Sequence, residues 1–133
     1  MGFNSILKFL VLFIDMKNLK PIVFENSKIP VILSKVAPIE IWAISLFIFV
    51  WCRGEASDIT RRHETIHFQQ QLELLFVFQW ILYLGLYVLG LFLQKGNRDE
   101  AYRMNPFERE AYENQYDKDY LATRPRYNWV KYF

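Results

Sequence analysis

Two histidines four residues apart, His63 and His67, constrain this chain more than any other feature of its sequence. They are the only histidines in the 133 residues, and Glu64 follows the first of them directly. On a helix, positions i and i+4 lie one above the other on the same face. The pair can therefore offer two imidazole nitrogens to one metal ion, and Glu64 can reach a water molecule bound there. Residues 62–70 are predicted to form a helix that carries a metal site.

A third ligand has to come from elsewhere in the chain, because hydrolytic zinc sites use three protein ligands and keep one position open for water. The single cysteine, Cys52, precedes the histidines, so a carboxylate downstream is expected. Asn105 and Pro106 predict the start of a helix, with Asn as the cap and Pro at the first position. Glu108 then falls in the first turn, where an ionised carboxylate is favoured, and Glu110 faces elsewhere.

These two motifs resemble those of gluzincin-type metallopeptidases. The closest likeness is to small zincin-like domains with HExxHxxQQ followed by a Pro-x-Glu-x-Glu-Ala-Asp run. Residues 63–70 read HETIHFQQ and residues 106–111 read PFEREA. The resemblance covers residues 38–120 and departs at Tyr112, where the family commonly has an Asp that helps to orient a metal ligand. The motif order is also similar to that of short bacterial membrane proteins.

The resemblance implies a fold, a ligand set and a reaction. The fold would be α+β, a minimal zincin-like domain with a small sheet, a motif helix and a Glu-bearing helix. Zinc would be held by His63, His67 and Glu108. A zinc-activated water would hydrolyse a peptide bond, with Glu64 as the general base.

The partner of the oxyanion is left open among three side chains. Zincins steady the oxyanion with a Tyr, Arg or His, and Tyr102, Arg103 and Tyr112 lie close to Glu108 in the sequence. Nothing in their spacing selects one of them. All three are therefore candidates for contact with the substrate.

The composition indicates association with a membrane. Hydrophobic residues make up 53% of the chain and aromatic residues 18%, whereas soluble domains carry about 45–50% apolar residues. The expected partners are membrane lipid, a peptide or protein substrate, and other membrane protein subunits. A net charge of +2 without a basic stripe argues against nucleic acid. A bacterial inner membrane is expected, with the site toward the cytoplasm because Lys and Arg flank it on both sides.

The N-terminal part is predicted in three pieces. Residues 3–14 form an apolar run that is short for a bilayer span, which favours an interfacial helix over residues 1–16, with a signal peptide as the alternative. Residues 22–24 and 31–33 are β-prone runs between prolines, predicted as strand or irregular structure. Residues 39–52 suit a short transmembrane helix or strands, and their β-branched and aromatic content favours strands.

The motif helix is predicted to run into the membrane over residues 58–93, because the chain is almost wholly apolar after residue 72. A single crossing would leave Glu108 on the far side of the bilayer from the histidines. The prediction is therefore a hairpin with a bend near Gly85 or Gly90. The alternative is that residues 39–52 span as well and that other segments carry the return.

The rest of the chain completes one domain of residues 1–133. Residues 105–120 are predicted as the helix that carries Glu108, and residues 121–133 as an aromatic tail that anchors at the interface or covers the core. Two other functions stay open. One is a non-catalytic zincin-like subunit of a membrane complex, and the other is a zinc-dependent transferase or lipid hydrolase.

Overall fold

The computed structural model describes residues 2–14 and 18–133, and within the first helix it describes side chains only up to residue 8. The predicted interfacial helix of residues 1–16 thus has residues 1, 15 and 16 outside the described part. The described elements are α1 (Phe3–Ile14), β1 (Ile22–Phe24), α2 (Ile29–Ser34), β2 (Ala43–Leu46), β3 (Phe49–Cys52), α3 (Asp58–Glu73), α4 (Val77–Leu93), α5 (Arg98–Arg103), α6 (Pro106–Asn114), α7 (Tyr120–Thr123) and a final 3-10 helix (Asn128–Tyr132).

The strands form a small sheet in the order β1–β3–β2. β2 and β3 make an antiparallel hairpin in which Leu46 is opposite Phe49, and Phe47 in the turn has a φ of 54°. β1 is parallel to β3, with Val23 opposite Val50. The strands predicted at residues 22–24 and within residues 39–52 are therefore present, and the α+β class is confirmed.

The strand or irregular structure predicted at residues 31–33 is wrong, because these residues lie in α2. Pro30 occupies the first turn of this helix, where a missing N–H costs nothing. The Ser34 hydroxyl donates to the Pro30 carbonyl (2.8 Å) and accepts from the Ile41 N–H (2.7 Å). These bonds hold the short helix against the chain that leads into β2.

The chain turns sharply between α3 and α4, whose axes differ by 111°. Leu75 and Phe76 make the turn with φ values of 53° and 61°, in the left-handed region. α4 then runs without a break through Gly85 and Gly90. The bend predicted near those glycines is wrong, since a left-handed pair before α4 already redirects the chain.

The chain returns along α4 through α5 and α6. Gly96, with a φ of 84°, lies in the turn that follows α4. The Asn105 side chain then donates to the Tyr83 carbonyl (3.1 Å), so the returning chain lies against the middle of α4. A Cβ at Gly90 would sit 3.1 Å from the Ala101 carbonyl oxygen, which explains a glycine at this close approach. The hairpin is thus made by α4 with α5 and α6.

No helix among the described residues has by itself the length and apolarity of a bilayer span. The bent pair α3 and α4 meets that test together, by length and composition. Large apolar side chains are exposed along the outer face of α4, and we call them the α4 outer face: Val77, Phe78, Ile81, Leu84, Val88, Leu89, Phe92 and Leu93.

The C-terminal segment covers the back of α6. The Trp129 ring lies 4.7 Å from that of Phe107, and both Trp129 and Tyr132 are buried. Arg109 donates to the Tyr132 carbonyl (2.7 Å). Residues 121–133 were expected either to anchor at the membrane interface or to cover the core. The structure shows that Trp129 and Tyr132 cover the core. The helix predicted over residues 105–120 is divided into α6 and α7.

Candidate metal centre

Two helices bring the predicted ligands together. α3 presents His63 and His67 one turn apart, with 3.1 Å between their Nε2 atoms. α6 brings Glu108 to the same point, with its Oε2 3.6 Å from His63 Nε2 and 3.4 Å from His67 Nε2. Asn105 caps α6 by accepting from the Phe107 N–H, as the Asn-Pro pair predicts. The three side chains are buried and could hold a metal ion.

The hydrogen bonds behind the histidines leave their inner nitrogens free for a cation. His67 Nδ1 lies 2.8 Å from Gln70 Oε1, and His63 Nδ1 lies 2.9 Å from Gln115 Oε1. An amide oxygen only accepts, so each Nδ1 carries the proton and each Nε2 points into the site. Glu108 Oε2 is buried there with no hydrogen-bond partner among the described residues. Two nitrogens and a carboxylate oxygen therefore converge where a metal ion fits.

Each ligand is oriented by a named neighbour. Gln70 donates through Nε2 to Glu110 Oε2 (2.8 Å) and to the Phe107 carbonyl (3.1 Å), which fixes its amide with the oxygen toward His67. The Tyr83 hydroxyl donates to Glu108 Oε1 (2.8 Å), leaving Oε2 for the site. Such partners fix ligand orientation and strengthen metal binding.

The Tyr112 ring packs edge-on against the His63 ring, with 4.7 Å between the ring centroids, at the position where the motif resemblance would place an aspartate. Gln115 Oε1 instead accepts the hydrogen bond of His63 Nδ1, and Gln115 lies at the C-terminal end of α6, seven positions after Glu108. The departure at Tyr112 therefore leaves no histidine without an orienting acceptor.

Behind Gln70 lies a buried ionic group that we call the Arg124 cluster: Glu73, Glu110 and Arg124. Arg124 Nε lies 2.5 Å from Glu110 Oε1, and its Nη1 pairs with Glu73 Oε1. The Tyr120 hydroxyl also donates to Glu110 Oε1 (2.7 Å). Glu110 thus faces away from the metal ligands and supports one of them through Gln70.

The charges of the site favour a bound cation. Burial raises the pKa of Glu64, and the two histidines offset part of that rise. Burial alone would lower the pKa of His67, but Glu108 and Glu64 outweigh it and raise that pKa to about 9. Glu108 is also buried, yet the histidines hold its pKa well below the usual range. Two carboxylates beside two imidazoles therefore attract a proton or a metal ion.

Glu64 lies beside the ligand set without joining it. Its side chain is buried, and its Oε2 has no hydrogen-bond partner among the described residues. It lines the same cavity as the three ligands. A carboxylate oxygen without a partner in this cavity is able to accept a proton.

Two of the three oxyanion candidates reach the cavity. Tyr102 and Tyr112 line it, and their rings lie edge-on with 6.3 Å between the ring centroids. Burial raises the pKa of both hydroxyls, so both stay protonated and able to donate. Arg103 is not among the described residues that line the cavity.

The cavity of about 610 Å³ is an open cleft between residues 37–46 and the helices α3 and α4. β2 forms part of its wall and is an edge strand of the sheet. The Trp42 carbonyl accepts from the Arg53 N–H (2.9 Å), which makes that pair a hydrogen-bonded one. In an antiparallel ladder the pairs alternate, so the backbone groups of Ala43 and Ser45 point away from β3. Gln71 Nε2 uses the Ser45 carbonyl (2.9 Å).

Sequence reasoning missed three residues that shape the site: Gln70, Tyr83 and Gln115. Gln70 belongs to the recognised motif, but its partners were not derivable from it. Gln115 follows Glu108 by seven positions, a spacing that places both on one helix face and could have identified it. Tyr83 lies in the apolar run and gave no local signal.

No family model, curated protein or solved structure matches this chain. The geometry alone therefore defines the class of the site, a buried centre of two histidines and one glutamate with a further carboxylate beside it.

Proposed function

We propose that this chain is a membrane-associated zinc metallopeptidase. The convergence of His63, His67 and Glu108 on one point, with the unpartnered Glu64 carboxylate beside it, carries the proposal. Two imidazole nitrogens and one carboxylate oxygen are a donor set that suits zinc in hydrolases. Zinc, a peptide substrate and the membrane location are parts of the proposal that rest on chemistry and resemblance.

The chemistry assigns a role to each side chain of the site. Zinc held by His63, His67 and Glu108 would acidify a water molecule and polarise a carbonyl group. Glu64 would take the proton of the attacking water at its free Oε2 and pass it to the leaving amine. Tyr102 and Tyr112 donate hydrogen bonds to the carbonyl oxygen as it gains charge. The outward backbone groups of Ala43 would pair with an extended substrate, whereas the Ser45 carbonyl is already bonded to Gln71.

The membrane part of the proposal rests on the α4 outer face. Exposed apolar patches of this kind mark membrane or protein contacts, since monomeric soluble proteins rarely expose large ones. Phe92 is 80% exposed and Ile81 is 64% exposed, on a helix that carries no charged residue. We propose that this face lies in the bilayer surface, on the cytoplasmic side.

A non-catalytic subunit of a membrane complex is the second candidate. The same exposed face would suit a partner protein, and such a subunit would keep the metal site for stability alone. Glu64 separates the two functions because it is not a metal ligand. A peptidase needs its carboxylate, whereas a scaffold does not.

The test combines metal analysis with one conservative variant. We expect one zinc per chain, lost in His63→Ala because a single remaining imidazole cannot complete the site. Glu64→Gln should keep zinc and lose at least about 100-fold in peptide hydrolysis, since a general base contributes about that much. Equal turnover by the wild type and Glu64→Gln would rule out the peptidase and favour the scaffold.

A further inference from the structure

The cleft beyond the metal ligands is apolar. Its volume of about 610 Å³ lies in the range of ligand sites in proteins. Much of its wall consists of aliphatic and aromatic side chains, among them Ile39, Ile41, Trp42, Ile44, Trp80 and Leu84. Such a wall gains free energy by removing apolar groups of a ligand from water.

The charges of the cleft further restrict the class of ligand that it can bind. Among the described residues that line it there is no Lys or Arg, and the acidic ones are Glu40, Glu64 and Glu108. Away from the two histidines, a phosphate group or a free carboxylate would meet acidic side chains and none of the Lys or Arg side chains that usually bind such anions. The wall therefore suits an uncharged interior segment of a peptide better than a phospholipid head group or a peptide C-terminus.

The apolar wall continues to the outside of the molecule. Leu84 lines the cleft, is 62% exposed and belongs to the α4 outer face. Trp42, on the opposite wall, lines the cleft and is 46% exposed. An apolar segment can therefore pass from the α4 outer face into the cleft between Leu84 and Trp42, where both walls are apolar.

Tyr87 supplies a polar contact inside this apolar wall. It lines the cleft, is 7% exposed, and its hydroxyl has no hydrogen-bond partner among the described residues. A buried hydroxyl without a partner is unfavourable, so such groups call for an explanation. Tyr87 follows Tyr83 by one helical turn, on the same face of α4. Tyr83 is bonded to Glu108, so Tyr87 lies about 6 Å from that contact along α4. This distance is close to the length of two residues of an extended peptide.

We propose that the cleft binds an uncharged, apolar peptide segment that enters from the α4 outer face. Tyr87 donates a hydrogen bond to a backbone carbonyl of that segment, about two residues from the metal ligands. This inference rests on the proposed function for its biological meaning, and it names the substrate class of that site. The binding step itself needs only the cleft.

The experiment measures binding rather than turnover. Trp42 and Trp80 line the cleft, so their fluorescence reports occupancy. Two short peptides with blocked ends are titrated into the Glu64→Gln chain in detergent. One carries Leu and Phe at its central positions, and the other carries Glu there. We expect the apolar peptide to bind at least about tenfold more tightly.

Tyr87→Phe should lower the affinity for the apolar peptide about five- to tenfold, because the exchange removes only the hydroxyl that donates the hydrogen bond. Tyr116→Phe is the matched control, since Tyr116 is 68% exposed and is not among the lining residues. Equal binding of the two peptides, no binding of either, or an unchanged affinity in Tyr87→Phe would overturn the inference. None of these outcomes depends on hydrolysis, so the zinc and Glu64 experiments still decide the proposed function separately.

Discussion

Gln70 shows at the scale of a single residue why the metal site needs an amide rather than an acid. Its oxygen accepts from His67, while its nitrogen donates to Glu110. A glutamate at position 70 would face the carboxylate of Glu110 without a proton between them. The amide can satisfy both neighbours at once and adds no charge to a buried site that already holds several carboxylates.

We expect Gln70→Leu to lower zinc affinity about 10- to 100-fold, because His67 loses the acceptor that orients it. A competition titration with a chromophoric chelator measures the affinity. Gln69→Leu is the matched control: Gln69 is the neighbouring amide, is 5% exposed, and makes none of the hydrogen bonds to the metal ligands described above. Similar losses in both variants would show that general damage to α3, rather than orientation of His67, sets the affinity.

The ligand set could be predicted from the sequence because its geometry is mostly local. His63 and His67 share one helix face, and Asn105 and Pro106 define where the helix of Glu108 begins. The orienting residues could not be predicted in the same way. The bond from Tyr83 to Glu108 joins residues 25 positions apart, and only the fold determines which face of α4 meets α6.

The two glycines of α4 have opposite roles at the scale of the element. A Cβ at Gly85 would meet nothing within 4 Å, whereas one at Gly90 would press on the backbone of Ala101. Gly90 therefore sets how closely α5 approaches α4, and α5 leads the chain back to Glu108. Gly85 has no such contact, so its glycine lowers the stability of the helix without allowing a close approach.

Gly85→Ala should raise stability by about 0.5–1 kcal/mol, the usual difference between these residues in a helix interior. Gly90→Ala should lower stability and weaken zinc binding, because Ala101 and α5 have to move outward. Thermal unfolding of both metal-free variants, with the zinc titration above, measures this. If Gly90→Ala were as stable as Gly85→Ala and bound zinc normally, the close packing of α5 would have no role in the site.

The turn before α4 lay beyond sequence reasoning for a physical reason. Leu75 and Phe76 adopt positive φ, which costs energy for residues with a side chain and is uncommon outside glycine. Hydropathy showed one apolar run across residues 72–93, and the glycines were the natural places to bend it. The turn instead falls at Leu75 and Phe76, two apolar residues that carry no local turn signal, where α3, packed against β2 and α6, ends.

At the scale of the whole molecule, the C-terminal part of the chain packs behind the candidate metal site. The Arg124 cluster joins α3, α6 and the end of α7, and it contacts Gln70 through Glu110. Trp129 and Tyr132 then cover α6. Arg124 is buried, but other side chains of this end are exposed, among them Tyr116 and Phe133. Among the described elements, α4 carries the most exposed large apolar side chains.

That distribution leads to the last prediction, which concerns attachment to a membrane. If the α4 outer face lies in the bilayer surface, the triple variant Phe78→Ser, Ile81→Ser and Phe92→Ser should bind vesicles at least about 100-fold more weakly. Each exchange removes about 1–2 kcal/mol of apolar transfer free energy, and such contributions from separate exposed positions add approximately. Because all three side chains are exposed, the fold and zinc affinity should stay unchanged.

Vesicles of a zwitterionic phospholipid with a minor anionic component are sedimented with the chain, and the bound fraction is measured. The control variant carries Tyr116→Ser, Val130→Ser and Phe133→Ser, which are 68%, 52% and 69% exposed on the C-terminal side. It removes comparable apolar surface away from α4, so its binding should stay close to that of the wild type. Absence of vesicle binding by the wild type would contradict the membrane location and leave the α4 outer face to a protein partner. Equal losses of vesicle binding in the two triple variants would mean that the chain binds lipid without using α4 in particular. A helix face that inserts into the bilayer must contribute more binding free energy than an equally apolar surface that remains in water.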